Sequence, residues 1–401
     1  MTVNQKSSHR RWKVLQAHNY HAVRGGMEVM FEHIVEMLRS RQHEVVVMKR
    51  DNNRITTFRD KLSAFRQALY SHSARAEMAA TIRSTAPDIA HFHNLYPLLS
   101  PSVLEACREL DVPTVLRCGD YKLTCPTAQH LRNGIPCEAC LEGKEYWCAL
   151  NNCKGNLLAS TAYAIRNMTA RRSGRIRNNV TVYIVPTRFI KQQLIRGGYP
   201  GERIEVLPNM ATIPAEAPSP PAGNYVAYVG RISPEKGIET LLEAARATGL
   251  PVRIAGDPSP MPQLVRSAPD NVEFVGRLGQ HELPAFYSAA RVLVVPSVWF
   301  EVFGIVCAEA MGHRLPVIAS RIGGLPEVLD DGVTGLLFEP GSSEELAEKI
   351  ELVWNDDALC QRLGDAGRKR AVGQFSTEIY YERLMDLYNR ALEMNRRPEH
   401  A

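Results

Sequence analysis

Short apolar, β-branched runs alternate along this chain with segments whose apolar residues recur every three or four positions. Residues 13–17 read as a strand. Residues 26–41 carry Val29, Met30, Ile34, Val35 and Leu38 at helical spacing. Further strands are predicted at 44–48, 88–92, 113–116 and 180–185, with helices between them. The alternation implies a parallel sheet covered on both faces. It breaks in 208–223, where Pro214, Pro218, Pro220 and Pro221 mark a linker. It then restarts, with strands predicted at 225–229, 252–255, 272–275, 292–295, 316–319 and 335–338. Helices are predicted at 237–248, 305–312, 343–355 and 377–394. The expected fold class is therefore α/β, with two doubly wound domains and a cleft between them. Ligands in such sheets bind beyond the carboxyl ends of the strands.

The length of 401 residues fits two domains better than one. No apolar run is long enough to span a bilayer. Residues 1–11 are polar and basic, without the apolar segment of a secretory signal, so the expected location is the cytoplasm. Charge separates the halves: residues 1–208 carry a net +13 and residues 209–401 a net −8. Arg166, Arg171, Arg172, Arg175 and Arg177 form the densest basic stretch. It suits an anionic membrane surface or a phosphorylated acceptor, with a solvated helix face as the plain alternative. Nucleic acid rests on charge alone, because no aromatic platform is interleaved.

Three segments carry candidate chemistry, each just after a predicted strand. Arg24-Gly25-Gly26 opens a helix, where the backbone can approach a phosphate; a simple turn explains the same pair. Gly230-Arg231, followed by Lys236-Gly237, places two cations near a helix start, a grip suited to a diphosphate. Glu301 and Glu309 stand eight residues apart in the run from Pro296 to Ala310. Glu301 lies in the loop and Glu309 in an apolar helix. A carboxylate among Ile305, Val306, Ala308 and Met311 needs a hydrogen-bonding partner. Sugar hydroxyls or a structural Arg would each serve.

With these residues the chain resembles glycosyltransferase family 4, retaining enzymes of the GT-B fold with two Rossmann-like domains facing a central cleft. The resemblance also includes Asp88-Ile-Ala-His-Phe-His93-Asn94, Val206-Leu-Pro-Asn209, Pro316-Val-Ile-Ala-Ser, Gly323-Gly324 and Glu327. It implies a donor that is a nucleoside-diphosphate sugar, a saccharide or lipid-linked acceptor, and no required cofactor. Arg231 and Lys236 would neutralise the diphosphate, with Gly25, Gly26 and Gly230 close to it. Glu301 would hold the transferred sugar and Glu309 the ribose. Phe303, Gly304 and Ile305 would offer amides, and Val275, Gly276, Arg277 and Leu278 a base-binding loop. His93 would stand near the acceptor, and His91 would be structural. The implied division is an acceptor-side domain over 1–208, a donor domain over 209–375, and a helix over 376–401 returning to the first domain. The implied setting is polysaccharide or glycolipid synthesis, at the inner face of the plasma membrane. A GT-B epimerase, a phosphorylase and a non-catalytic nucleotide-sugar-binding protein share parts of this pattern.

Two features stand apart. The family often has His or Asn before Asp-Tyr after the fourth strand, where this chain has Gly119 ahead of Asp120-Tyr121. A Cys-rich insertion over 118–155 holds Cys125, Cys137, Cys140, Cys148 and Cys153. Cys137, Cys140, Cys148 and Cys153 are candidate ligands of a structural zinc, and reduced thiols with no metal fit equally. The implied catalysis needs no metal.

Overall fold

The computed structural model describes residues 10–20, 25–217 and 223–396. The first sheet is built from β1 (Lys13–Tyr20), β2 (Glu44–Asp51), β3 (Ile89–Asn94) and β4 (Thr114–Arg117). The insertion adds a small hairpin, β5 (Leu131–Arg132) and β6 (Ile135–Pro136). β7 (Val182–Val185) and β8 (Ile204–Val206) complete the sheet, in the order β2-β1-β3-β4-β7-β8. The second sheet contains β9 (Val226–Val229), β10 (Val252–Ala255), β11 (Val272–Gly276), β12 (Val292–Val295), β13 (Val317–Ser320) and β14 (Leu336–Phe338). Their order is β11-β10-β9-β12-β13-β14. Every pairing within the two sheets is parallel. Strands such as β12, buried at all four positions, read as continuous Val/Leu runs because helices cover both faces. The two doubly wound domains predicted from the pattern are present.

The helix Asp357–Phe375 had no clear apolar period. Its buried positions include Cys360, Gly364, Gly367 and Ala371, and a methyl group at Gly367 would sit 3.4 Å from Met311 Cγ. Small residues let it approach the helix Ile305–Gly312, and the same smallness hides its amphipathic pattern. The helix Thr377–Arg396 then packs Tyr380, Leu384, Tyr388 and Ala391 against Trp12, Val14, Ile89, Val115 and Val182 of the first sheet. Pro218, Pro220 and Pro221 of the expected linker lie outside the described residues, as does Arg24. No helix among the described residues is long and apolar enough to cross a membrane.

The basic stretch needs correction as a surface. Arg166 is buried, its guanidinium bonded to the Pro126 carbonyl and Asn167 and held 4.7 Å from the ring centroids of Tyr96 and Tyr163. Arg171 pairs with Glu145 and Arg175 with Glu105. Only Arg172 and Arg177 of the five are exposed. Sequence spacing alone could not show that the other three turn inward to partners.

Candidate active site

In each sheet the chain reverses direction of winding once. The crevices lie between β1 and β3 in the first lobe and between β9 and β12 in the second, the places where such sheets receive ligands. Most of the candidate residues gather at these two points, while Val275, Gly276, Arg277 and Leu278 lie at the end of the edge strand β11.

In the second lobe, the loops after β9 and β12 interlock. A methyl group at Gly237 would lie 1.9 Å from the Pro296 carbonyl oxygen, and Gly237 has φ +66°, so only glycine brings the loops this close. The contact sets Lys236 against Glu301 as a buried ion pair. Ser297 Oγ donates to Glu301 Oε1 at 2.7 Å, and Lys236 Nζ lies 5.3 Å from the Trp299 ring centroid. Burial by itself would raise the Glu301 carboxyl, but the Lys236 charge and the bonds from Lys236 and Ser297 outweigh it and hold the group below its usual range. Arg231 is largely exposed and bonds Glu235 Oε1 at 3.2 Å, next to Gly230.

Glu309 lies on the helix Ile305–Gly312 with the Tyr287 hydroxyl 3.2 Å from its Oε2. Burial pushes its carboxyl up to about 7. The two glutamates of the run thus differ in proton affinity, because Glu301 has the Lys236 charge beside it and Glu309 has only the Tyr287 hydroxyl. Phe303 packs its ring on Phe375, with centroids 5.4 Å apart, and Gly304 at φ +81° caps the helix. At the end of the edge strand β11, Val275 and Leu278 pack on the cluster of Phe286, Tyr287 and Phe303. Arg277 turns outward, with Asp257 4.0 Å away. The structure therefore brings Lys236, Glu301 and Ser297 into contact, while Arg231 and Arg277 stay at the rim.

In the first lobe, Gly25 caps the helix Gly26–Ser40 and donates its amide to Glu28 Oε2 at 2.9 Å. A methyl group at Gly26 would stand 3.9 Å from Ile305 Cδ1. The first residues of two helices, one from each lobe, thus meet across the cleft. Helix starts leave amides without intrahelical partners and carry partial positive charge, and at the first of them the Glu28 carboxylate takes the Gly25 amide. His93 is buried, with Nε2 2.7 Å from Gln16 Oε1. Burial, then the neighbouring His91, Arg117 and His18, hold it well below its ordinary value, so it is a neutral imidazole. His91 stacks on it at 4.3 Å and bonds the Tyr388 hydroxyl at 2.8 Å, a structural position. The lobes are joined beside the cleft by Tyr121, whose hydroxyl donates to the Phe300 carbonyl at 2.9 Å.

Among the described residues no group of three or more His, Cys, Asp or Glu is disposed to hold a metal ion. Cys137, Cys140, Cys148 and Cys153 are free thiols. Cys140 and Cys148 are buried with Ala164, and burial, followed by Cys153 and Cys125, pushes the Cys148 thiol up to about 12. Cys140 and Cys148 pack there as small apolar groups, with Cys153 against them.

Sequence reading missed Ser297, Tyr287, Arg117 and Lys122. Ser297 had a signal, four residues ahead of Glu301 in the same strand-end loop. Tyr287 had none, since only the packing of two helices brings it to Glu309.

Comparison with known proteins gives one family model for each lobe. Residues 25–210 match a glycosyl transferase 4-like domain and residues 209–370 match glycosyl transferases group 1. An uncharacterised glycosyltransferase of Methanocaldococcus jannaschii is 32% identical over 166 residues, which are 40% of this chain and 46% of that protein. The alpha-maltose-1-phosphate synthase of Mycobacterium tuberculosis is 35% identical over 182 residues, 41% of this chain and 47% of that one. The chain thus spans about half the length of the curated relatives it matches. The crystal structure of Anabaena HepE in complex with UDP-glucose superposes with a TM-score of 0.67 at 19% identity, covering 93% of this chain and 98% of that one, a likeness of fold. With two adjoining family models running from residue 25 to residue 370 on a GT-B architecture, the chain belongs to the group 1 glycosyltransferases.

Proposed function

We propose that this protein transfers a sugar, with retention at the anomeric carbon, from a nucleoside diphosphate to an acceptor hydroxyl. The observation that carries the reading is the meeting of two helix N-termini at Gly26 and Ile305, beside the Lys236–Glu301 pair. A diphosphate between them would meet amides from both lobes and the Lys236 charge, with Arg231 closing over the rim. The positive charge a metal ion would otherwise bring is supplied by these groups. Glu301 would accept hydrogen bonds from the sugar and Glu309 from the ribose. Val275, Gly276, Arg277 and Leu278 would flank the base. The neutral His93 would orient the acceptor, and the leaving phosphate would take the acceptor proton on the same face. The solved relative bound to UDP-glucose supports this class of donor. The names of the curated relatives support a place in glycan synthesis. The basic first lobe would face an anionic membrane when the acceptor is lipid-linked.

The test is a thermal-shift screen of UDP-, GDP- and ADP-sugars, followed by product analysis with the stabilising donor. One nucleotide sugar should raise the melting temperature and yield a glycoside of unchanged anomeric configuration. Binding without transfer to any hydroxyl acceptor would make the protein a nucleotide-sugar-binding module instead. Epimerised sugar as the product would make it an epimerase.

A further inference from the structure

The first lobe holds a buried cation with no counter-ion. Arg117, at the end of β4, is 4% exposed. Its Nη2 donates to Asn209 Oδ1 at 2.7 Å, a neutral acceptor. Its Nη1 is buried and makes no hydrogen bond. Arg117 forms no ion pair among the described residues. The nearby carboxylate of Asp120 is held by Lys122 at 2.8 Å. Burial lowers the Arg117 proton affinity, outweighing the Tyr380 hydroxyl, which faces the guanidinium, and Asp120, both of which favour its charge. A buried guanidinium with only a neutral acceptor is costly unless something negative arrives.

Gly119 explains how the guanidinium comes to lie there. A methyl group at that position would stand 2.8 Å from Arg117 Nη1 and 3.4 Å from its Cζ. The place where a side chain would project from the strand end is occupied by the guanidinium itself. The departure from the family pattern at Gly119 and the burial of Arg117 are therefore one feature.

A narrow recess of about 30 Å³, room for a water or a single oxyanion oxygen, joins Arg117 to His93, Asn94, Asp120 and Lys122. Lys122 Nζ lies 3.2 Å from Asn94 Oδ1. With Asp120 paired to Lys122 and His93 neutral, the described residues of the lining carry one net positive charge. His93 adds the complementary function. Because Nε2 faces the accepting Oε1 of Gln16, the network assigns the proton to Nε2 and leaves Nδ1 a bare acceptor, also buried without a partner. An unpartnered acceptor suited to a hydroxyl thus stands in the same lining as an unpartnered donor, Arg117 Nη1, suited to an oxyanion.

We propose that this cavity is an anion subsite for the acceptor, in which Arg117 and Lys122 hold a phosphate or carboxylate on a molecule whose hydroxyl lies against His93. The inference rests on the sugar-transfer reading and deepens it: the acceptor is an anionic sugar or polyol. Charge-assisted bonds from Arg to an oxyanion carry both affinity and orientation.

Inorganic phosphate, titrated calorimetrically into the full chain, tests this without turnover. Two sites are expected, one at Lys236 in the second lobe and one at Arg117 and Lys122. Lys236→Ala should remove the first alone. Arg117→Gln and Lys122→Ala should each weaken the second by about 10- to 100-fold and leave the first intact. Parallel titration with acetate separates the two chemistries: tighter phosphate assigns a phosphorylated acceptor, tighter acetate a carboxylated one. If Arg117→Gln and Lys122→Ala both bind phosphate as the unaltered protein does, the subsite is refuted, whatever Lys236→Ala shows. If only Lys236→Ala is silent, the donor reading falls, the anion site at Arg117 stands, and its assignment to an acceptor is overturned.

Discussion

The two strand-end crevices hold their cations in opposite circumstances. In the second lobe Lys236 is matched by Glu301 and Arg231 by Glu235. In the first lobe Arg117 is bonded to Asn209 and forms no ion pair among the described residues, the neighbouring carboxylate of Asp120 being held by Lys122. The second arrangement is held in place by its own carboxylates before any ligand comes. An arriving diphosphate competes with Glu301 for Lys236 and frees that carboxylate for sugar hydroxyls. The first arrangement depends on a ligand for its counter-charge. The contrast shows that cations alone do not define a phosphate site; what balances them in the empty protein decides what a ligand must displace.

The sharpest way to break this contrast is to remove the cation on each side. Lys236→Ala leaves Glu301 buried and unpaired, which costs about 3 kcal/mol of stability, and transfer should fall roughly 10²- to 10³-fold. Adding Glu301→Gln should restore the urea midpoint but not the transfer. If the double variant regains transfer, Lys236 serves only as the partner of Glu301. Arg117→Gln strands no carboxylate, so its urea midpoint should hold or rise.

Proton binding should separate the two glutamates. The Glu309 carboxyl is raised by burial to about 7, above the ordinary 4.5. The folded state keeps this proton longer than the unfolded chain. Its contribution to stability is therefore complete below about pH 4.5 and is lost as pH rises through about 7. Donor binding runs the other way, because ribose hydroxyls donate to the ionised form. Donor affinity at pH 6 should be about tenfold weaker than at pH 8, and Glu309→Gln should flatten the profile. Glu301, held low by Lys236, should contribute no step in this range. An unchanged slope in Glu309→Gln would place the titrating group elsewhere.

Much of this was legible in the chain, for identifiable reasons. Val292–Val295 and Val317–Ser320 are strands by their apolar β-branched runs, and the functional loops follow them because parallel sheets place ligands there. Lys236 and Glu301 were each picked out, but their pairing spans 65 residues and depends on Gly237 touching Pro296. Arg117 was not singled out, because nothing local reveals that Gly119 admits its side chain. The arginines from Arg166 to Arg177 misled for the opposite reason: density in sequence says nothing of partners such as Glu145 and Glu105, supplied by distant segments.

The smallest expected effect concerns how the lobes are held together. Glu327, in the second lobe, accepts the backbone amides of Arg188 and Phe189, both at 2.7 Å. These are the first amides of the helix Arg188–Arg196, so one lobe supplies the carboxylate at the start of the other lobe's helix. Thr187, its N-cap, ties the same joint by donating to the Val302 carbonyl at 3.2 Å. A carboxylate at a helix N-terminus is worth about 1 kcal/mol. Glu327→Ala should therefore raise the donor KM by about fivefold while kcat stays within twofold, because the closed cleft is less populated and its chemistry is unaltered. Glu327→Gln keeps one accepting oxygen and should recover part of the loss. Were kcat to fall with KM unchanged, Glu327 would be acting on the reacting groups, and closure would have to be sought at Tyr121 and Phe300 instead.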